Sequence, residues 1–315
     1  MLKLQKKKIR AMETILHFER KESMQLWHLC TDGESSGIIF RTNEDFVYGM
    51  NMVGVCASVF RGKVVIYTFQ LMSNHFHFVM EGMKGDVEAF FESLKLRMRR
   101  YLLKKNRGTE ISKISYKLFE IKDITYLRNV VAYVNRNGYV VDCNVTPFSY
   151  EWGANRYFFN ECARSEDKLP IDSIGKRARF GMFHTRDVDF PNNYYLTNGY
   201  ISPLCYCNLR GCEEIFNNAH HYFSAISRRV ESFANIAREI GEMISYTDEE
   251  MILVAYNYSN KKFNKSNLNL LDKNEKIELA KIMHFDYNAP NKQINRVLKM
   301  DYTVLNALFP LVKGK

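Results

Sequence analysis

The sequence lacks long apolar runs and contains little proline. No stretch approaches the roughly 20 consecutive apolar residues that a membrane-spanning helix needs, and the basic start of the chain has no continuous apolar core of the kind found in secretory signals. Six prolines in 315 residues leave little room for rigid linkers. We therefore expect a folded protein with no membrane partner.

Cysteine is present in a pattern that argues against disulfides. The seven cysteines are odd in number and scattered along a long chain, which is not typical of a disulfide framework and favours the reducing cytoplasm. Cys205, Cys207 and Cys212, with His220 and His221 downstream, raise the hypothesis of a zinc site. The C-x-C spacing departs from the usual C-x2-C pair, which weakens that hypothesis.

Acidic residues are outnumbered by basic ones. Lysine and arginine total 45 against 35 aspartate and glutamate, a formal net charge of +10. A balance of this size favours a polyanionic partner, either nucleic acid or an anionic surface. With 46% hydrophobic and 25% charged residues, the composition is ordinary for a folded protein and excludes wholesale disorder.

Periodicity predicts an α+β fold for the first half of the chain, with helices on a mixed or antiparallel sheet. The expected order is β-α-β-β-α-β-α. It comprises a strand after residue 25, a helix over 43–60 with Asn43 as N-cap, strands over 64–71 and 76–80, a helix over 85–105, a strand over 116–121, and a helix from Asp123 to about Arg136. Asn137-Gly138 is a typical helix terminator.

The second half of the chain is expected to be helical. We place an α+β domain at residues 1–160, a connector of uncertain structure at 161–215, and an all-helical domain at 216–315. Asp272 and Glu275 form a capping-box pair. A helix over 291–298, followed after three residues by one capped by Asp301, is similar to a helix-turn-helix. The residues that could touch DNA there are Asn291, Lys292, Arg296, Tyr302, Thr303 and Asn306.

The segment LMSNHFHFVME contains a histidine pair, His75 and His77. In a strand, side chains at i and i+2 leave the same face about 6.5 Å apart. Two imidazoles placed in this way can converge on one divalent cation. The alternative is that both histidines merely line a sheet surface.

This segment resembles the "MPNHxH" motif of the REP-associated tyrosine transposases, which are HUH-type single-strand nucleases. Ser73 stands in place of the usual proline. The family's helix motif, approximately Y-I-x-x-N-P, is similar to YVNRNG at 133–138, and its later proline-aromatic-serine motif is similar to PFSYEWGANRY at 147–157. The three matches occur in the family's order and cover residues 25–160, about half of the chain.

The resemblance implies an HUH, ferredoxin- or RRM-like sheet and a set of roles for particular residues. Tyr133 is the implied nucleophile, His75 and His77 hold a divalent metal ion (Mg or Mn), and Asn137 is a further ligand. A tyrosine can attack a phosphodiester if a nearby cation or base offsets its pKa of about 10. Alternatively, Tyr133 packs in the core and Asn137 only ends its helix.

Basic residues concentrate in the helix over 85–105 and just after it. They could contact several phosphates of a DNA strand or hairpin, although a solvated helix face is the alternative. The residues are Lys95, Arg97, Arg99, Arg100, Lys104, Lys105 and Arg107.

These features together predict a metal-dependent DNA transposase that acts on single-stranded or hairpin DNA in the cytoplasm, associated with the nucleoid. Whether it forms a homodimer is left open. Two alternatives remain: a nickase similar to replication initiators or relaxases, and a domesticated DNA-binding regulator whose catalysis has lapsed.

Overall fold

The protein is divided into two units in a computed structural model that describes residues 24–31, 37–112, 114–140, 149–228, 246, 248–287 and 289–310. The units comprise residues 1–226 and 227–315. The structural boundary therefore differs from those expected at 160 and 216. No helix in the described part of the chain is long and apolar enough to cross a membrane.

A four-stranded sheet with helices on both faces forms the first part of unit 1. Its elements are β1 (Gln25–Thr31), α1 (Asn43–Val59), β2 (Val64–Leu71), β3 (Phe76–Gly82), α2 (Lys84–Lys104), α3 (Gly108–Ser112), β4 (Tyr116–Ile121) and α4 (Ile124–Val140). The strand order is β2-β3-β1-β4, and each neighbouring pair is antiparallel. The predicted β-α-β-β-α-β-α order is confirmed, with the short α3 as an addition, and the sheet is antiparallel rather than mixed.

Alternation along β3 separates an aromatic face from a histidine face. Phe76 and Phe78 lie against Phe91 and Phe90 of α2, with ring centroids 5.8 and 5.7 Å apart. His77, between them in the strand, faces the other side of the sheet. Helix α4 packs there, against β2 and β3. The histidine face is therefore enclosed between the sheet and α4.

Side-chain caps begin both α1 and α4. The N-cap of α1 is Thr42, whose hydroxyl accepts a hydrogen bond from the backbone N–H of Asp45. The prediction of Asn43 was wrong by one residue, because Thr42 has the extended backbone of a cap and Asn43 is already helical. Asp123 caps α4 as predicted, accepting at 2.8 Å from the N–H of Tyr126.

Helix α4 does not stop at Asn137-Gly138, as the sequence had suggested, but continues to Val140. Gly138 packs against the ring of Tyr150 so closely that a Cβ atom would lie 2.5 Å from that ring. The glycine therefore provides close packing inside the helix and does not form a left-handed turn after it.

Residues 161–215, expected as a connector of uncertain structure, contain short helices and strands and belong to unit 1. Their elements, continued into the next helix, are α5 (Glu161–Arg164), β5 (Leu169–Pro170), α6 (Lys176–Phe183), β6 (Tyr195–Thr197), β7 (Tyr200–Ile201), α7 (Leu209–Glu214) and α8 (Ala219–Arg228), with 3-10 turns at Asn155–Tyr157, Ile171–Ser173 and Pro203–Cys205. The strands form a second antiparallel sheet, β5-β6-β7.

This region packs closely against α1. The N–H of Ile201 donates to Oδ1 of Asn51 at 2.9 Å. A Cβ on Gly54 would come within 2.8 Å of the Ile201 side chain, so Gly54 allows the two segments to meet. Neither contact has a local sequence signal, which explains why the region had no recognisable periodicity.

The described part of unit 2 is helical, as predicted. It contains α9 (Asp248–Phe263), a 3-10 turn at Leu268–Leu270, α10 (Lys273–Phe285), α11 (Asn291–Leu298) and α12 (Tyr302–Leu308). The capping box of Asp272 and Glu275 is present. Asp301 caps α12, accepting at 2.7 Å from the N–H of Thr303. Both predictions, and the bounds of α11, are confirmed.

Candidate active site

The two predicted histidines lie at the start of β3. His77 is the second residue of the strand and is fully buried, whereas His75 precedes the strand and is half-buried. Their ring centroids are 4.9 Å apart and the ring planes are nearly perpendicular, at 88°. The two imidazoles are therefore neighbours, as the i, i+2 spacing indicated.

Tyr133 of α4 lies beside them. Its ring centroid is 5.6 Å from that of His77 and 6.2 Å from that of His28. The helix of the tyrosine thus packs against the strand of the histidines, although 56 residues separate Tyr133 from His77. Only 2% of Tyr133 is exposed, so a DNA phosphate reaches the phenol only after the site opens.

Asn137 lies one helical turn after Tyr133 and reaches the same histidine. Its Nδ2 atom is 3.1 Å from Nε2 of His77. Because Asn137 is inside α4, the interpretation of this residue as a helix terminator is wrong. The two ends of an amide exchange by rotation and are assigned from their surroundings, so Asn137 is able to present its oxygen at the same place.

His28 of β1 is a site residue that the sequence analysis missed. Its Nε2 atom lies 3.4 Å from Nδ1 of His77, and the two rings stack with centroids 5.6 Å apart. No motif marks His28. Only the pairing of β1 with β3, in which Cys30 is the partner of His77, brings it to this face.

The proton positions on His75 and His77 follow from the direction of these contacts, because the nitrogen that carries the proton is assigned from its neighbours. If Asn137 donates to Nε2 of His77, the proton of His77 lies on Nδ1 and is donated to Nε2 of His28. The buried Nδ1 atom of His28 has no hydrogen-bond partner among the described residues. If His75 donates from Nδ1 to Oδ1 of Asn74, at 2.8 Å, the lone pairs of both His75 and His77 lie on Nε2.

Burial keeps the inner histidines neutral. It lowers the pKa of His77 to about 3. It also lowers the pKa of His28 well below the ordinary value, and the nearby His77 adds to that effect. Imidazole binds metals only when it is neutral, so at neutral pH protons do not compete with a cation for His77.

The donor set fits a divalent cation. The 3.1 Å between Nε2 of His77 and the amide of Asn137 matches two adjacent ligands at right angles with metal bonds of about 2.1 Å. Across the described ranges, no three or more His, Cys, Asp or Glu side chains are grouped to hold a metal ion. An ion held by His75 and His77 would take the amide of Asn137 as its third protein ligand and would keep positions for water and phosphate oxygen. Paired imidazoles suit Mn, whereas Mg prefers oxygen ligands.

A buried polar network holds α4 in place two residues beyond Tyr133. The Asn135 side chain is fully buried; it accepts from the Thr68 hydroxyl at 2.5 Å and donates to the Tyr222 hydroxyl at 2.7 Å. The carbonyl of Asn135 accepts from Gln70 at 3.3 Å and from Asn155 at 3.0 Å. These bonds join α4 to β2, to the turn at Asn155–Tyr157 and to α8.

The third resembling motif contributes to this packing. Tyr150 donates its hydroxyl proton to the carbonyl of Leu71 at 2.6 Å. The hydroxyl of Tyr222 donates to Oδ1 of Asn155 at 2.5 Å. Residues 150–155 therefore connect β2 with the helix of Tyr133. Pro147 and Phe148, the start of the motif, lie outside the described residues.

The basic residues of α2 divide into two groups. Lys95, Arg97 and Lys105 have partners inside the protein, which the sequence analysis did not foresee: Lys95 donates to the carbonyl of Ile114, Arg97 to Thr185 and Asp187, and Lys105 to Glu44 and Asp45. Arg99, Arg100 and Lys104 are exposed. The surface available to phosphates is therefore narrower than predicted.

Asp45 is the centre of the first group and is fully buried. Its carboxylate accepts from Arg107 at 2.8 Å, from the Tyr101 hydroxyl at 3.0 Å and from Lys105 at 3.1 Å. Burial raises the pKa of Asp45, but these bonds and one from the backbone N–H of Arg41 outweigh it and hold the pKa below the usual range. The cluster joins the start of α1 to the end of α2.

Three of the predicted DNA contacts in unit 2, Asn291, Arg296 and Asn306, form hydrogen bonds between helices. Asn291 is buried, and its Nδ2 donates to the carbonyl of Phe309 and to Oδ1 of Asn306, both at 2.9 Å. Arg296 donates two hydrogen bonds to the carboxylate of Asp248, at 2.5 and 2.9 Å. Asn291 therefore joins α11 to α12, and Arg296 joins α11 to the start of α9.

The remaining predicted contacts of unit 2 are more accessible. Lys292 and Thr303 are exposed and Tyr302 is half-buried.

The cysteines of unit 1 do not form the hypothesised zinc site, because Cys205, Cys207, Cys212 and the two histidines after them are described and do not form a group of three or more ligands.

The resemblance to tyrosine transposases rests on the three sequence motifs. No protein-family model, curated protein or solved structure matches the chain.

Proposed function

We propose that this chain is a metal-dependent enzyme that cleaves and rejoins single-stranded DNA through a covalent phosphotyrosine, as HUH-type transposases do. The observation that carries the proposal is the position of His77. It contacts Asn137 at 3.1 Å and lies 5.6 Å, ring to ring, from Tyr133. The proposed nucleophile, Tyr133, and two of the proposed metal ligands, His77 and Asn137, therefore lie close together between β3 and α4.

His75, His77 and Asn137 would hold the cation. A bound divalent ion would polarise the scissile phosphate and offset the negative charge that develops on its oxygens. The phenol oxygen of Tyr133 forms a bond to phosphorus, and the bond from phosphorus to the leaving oxygen of the strand breaks. The phenolic proton passes to solvent, and the leaving oxygen takes a proton from solvent. Attack by a strand hydroxyl reverses the step and releases Tyr133.

This mechanism requires that the buried Tyr133 becomes accessible to a DNA phosphate. Pulling α4 away from the sheet would break the four hydrogen bonds of Asn135 to Thr68, Gln70, Asn155 and Tyr222. Buried polar groups left without partners cost about 1–3 kcal/mol each. We therefore infer that α4 stays in place and that the site opens beside it, at the half-buried His75 and Asn137.

Exposed cations support a nucleic-acid partner. Arg99, Arg100 and Lys104 lie on the surface of α2, and the chain carries a net charge of +10. In unit 2, we propose that α11 and α12 form a DNA-binding helix-turn-helix that uses Lys292 and Tyr302. Arg296 can join them only by giving up its two bonds to Asp248.

A second candidate function is favoured by the burial of the nucleophile. With 2% of Tyr133 and none of His77 exposed, the same residues could serve as a stable core. The protein would then be a DNA-binding regulator without catalysis. This candidate requires DNA binding that is independent of metal and of Tyr133.

A cleavage assay tests the proposal. End-labelled single strands, each with a fixed hairpin and randomised flanks, are incubated with the protein and Mn or Mg, and the products are separated under denaturing conditions. We expect a covalent protein–DNA adduct with the wild type and none with Tyr133→Phe. Tyr256→Phe is the matched control, because Tyr256 is 39% exposed and lies in unit 2.

Each outcome decides between the candidates. An adduct that persists in Tyr133→Phe would contradict the assignment of the nucleophile. The absence of any adduct from the wild type with either metal, together with retained DNA binding, would favour the regulator.

A further inference from the structure

A cavity of about 680 Å³ lies in unit 1 between α1, α2, α6 and the loop that follows α6. Its volume is within the range of sites for small molecules and single nucleotides. Its lining includes Tyr48, Arg97, Arg100, Lys176, Phe180 and Arg186.

The cavity is on the opposite side of the sheet from the candidate active site. Helix α2, which supplies Arg97 and Arg100, packs on the aromatic face through the contacts of Phe76 and Phe78 with its phenylalanines. His77 faces the other side. A ligand bound in the cavity is therefore separated from Tyr133 by the thickness of the sheet.

Buried contacts hold the walls of the cavity in place. The side chain of Arg97 is only 13% exposed; it donates to the hydroxyl of Thr185 at 2.7 Å and to the carboxylate of Asp187 at 2.6 Å. The hydroxyl of Tyr48 donates to the carbonyl of Arg97 at 3.4 Å. Arg97 thus fixes the loop after α6 against α2, so the cavity exists before any ligand arrives.

The lining carries excess positive charge. Arg100 and Arg186 have no carboxylate partner within the described ranges of the chain. Asp187, the carboxylate in the lining, is neutralised by Arg97. Lys176 pairs with Asp189 at 3.2 Å, but both side chains are more than half exposed, and such pairs are weak. Three cations are therefore available to an anionic group.

Flat apolar surface lies next to these cations. Phe180 is 38% exposed and lines the cavity. Tyr48 is covered on one face by Tyr101, whose ring is stacked on it at 3.9 Å, and this packing holds Tyr48 rigid. An aromatic platform beside clustered cations is the arrangement that binds a nucleobase and its phosphate together.

We propose that this cavity binds a nucleotide, with its phosphate at Arg100, Lys176 and Arg186 and its base against Phe180. The nucleotide is either free or one residue of a bound single strand. Because the cavity is remote from Tyr133, the proposal goes beyond the proposed cleavage and does not depend on it.

Fluorescence anisotropy with two probes tests the proposal and separates the two sources. The probes are labelled adenosine monophosphate and a labelled single-stranded oligonucleotide without a hairpin. All measurements use Tyr133→Phe protein and a chelator, so that neither cleavage nor metal at the other site affects the result. Binding of the mononucleotide indicates a free nucleotide, and binding of the oligonucleotide alone indicates a strand.

Two changes in the cavity are compared with a matched pair outside it. We expect Arg100→Glu with Arg186→Glu to weaken binding at least about tenfold, and Phe180→Ala to weaken it at least about fivefold. Lys273→Glu with Lys281→Glu removes the same charge from exposed positions of α10, which belong neither to the cavity lining nor to the proposed DNA-binding surfaces, and we expect a smaller loss.

The proposal is overturned if neither probe binds, or if the outer pair weakens binding as much as the cavity pair. Equal losses would show that general charge attracts the probe. Thermal unfolding of each variant checks that the fold is intact. Phe180→Ala removes a partly exposed ring and is expected to remain folded, so it keeps the test valid if the double glutamate variant does not fold.

Discussion

The amide nitrogen of Asn137 lies 3.1 Å from Nε2 of His77, although 60 residues separate them in the chain. This contact joins β3 to α4. Because Tyr133 precedes Asn137 by one turn of the same helix, the contact also sets how far the phenol lies from the imidazole. The candidate chemistry therefore depends on how α4 packs against the sheet.

His28 is expected to control the metal affinity of His77. Its Nε2 atom lies 3.4 Å from Nδ1 of His77, where it can accept the proton of a metal-binding imidazole, and loss of such a supporting partner commonly costs 10–100-fold in affinity. We expect His28→Ala to weaken Mn binding by about that factor and His28→Gln, which can still accept the proton, to weaken it less. Calorimetric titration with Mn measures both.

A surface histidine provides the control for this prediction. His220→Ala removes an imidazole from α8, away from β1 and β3, and should leave the affinity unchanged. Equal Mn affinity in His28→Ala and the wild type would show that His28 does not support the ligand.

Acid should destabilise the metal-free protein through the same histidines. The pKa of His77 is about 3 in the folded state and about 6.5 when unfolded. Between these values the unfolded chain binds more protons, so the free energy of unfolding falls as the pH drops from about 6.5 toward 3. His28, with its lowered pKa, adds to the same slope. Urea unfolding at a series of pH values measures it.

The variant His28→Gln tests the origin of this acid sensitivity, since glutamine does not titrate. We expect a shallower decline than in the wild type over the same pH range. Identical slopes would show that His28 does not contribute to the acid sensitivity.

The hydroxyl of Tyr222 should stabilise the packing of α4 against the rest of unit 1. It accepts from Asn135 and donates to Asn155 inside the core, so Tyr222→Phe removes two buried hydrogen bonds. We expect a loss of about 1–3 kcal/mol in the free energy of unfolding. Faster hydrogen exchange in α4 should accompany it, and Tyr256→Phe, at an exposed position, should have neither effect.

Gly138→Ala should destabilise the protein although alanine is the better helix former. The new Cβ would lie 2.5 Å from the ring of Tyr150, and such overpacking costs about 1–3 kcal/mol. Gly85→Ala is the matched control, because nothing lies within 4 Å of the position of its Cβ in α2. That substitution should be neutral or stabilise by up to about 1 kcal/mol. A Gly138→Ala variant as stable as the wild type would exclude the packing role of this glycine.

The sequence predicted the bounds of helices and strands correctly where capping residues and hydrophobic periodicity indicated the same element. The strand Tyr116–Ile121 and the helix Asn291–Leu298 have the expected bounds, because alternation and capping act between residues close in the chain. The same logic failed at Asn137-Gly138, where the ring of Tyr150 creates the need for glycine. It also failed for residues 161–215, whose short strands depend on α1.

The sequence by itself determined that His75 and His77 share a face, that Tyr133 and Asn137 share a face, and that the chain is basic. Strand alternation and helical spacing are local, so these relationships hold before folding. Only the tertiary structure brings these two faces together. It also places His28 beside His77, although 49 residues separate them in the chain. Asn135 receives its hydrogen-bond partners from three other elements of the fold. Such contacts follow from strand order and helix seating, which depend on the packing of the whole chain and have no local signature.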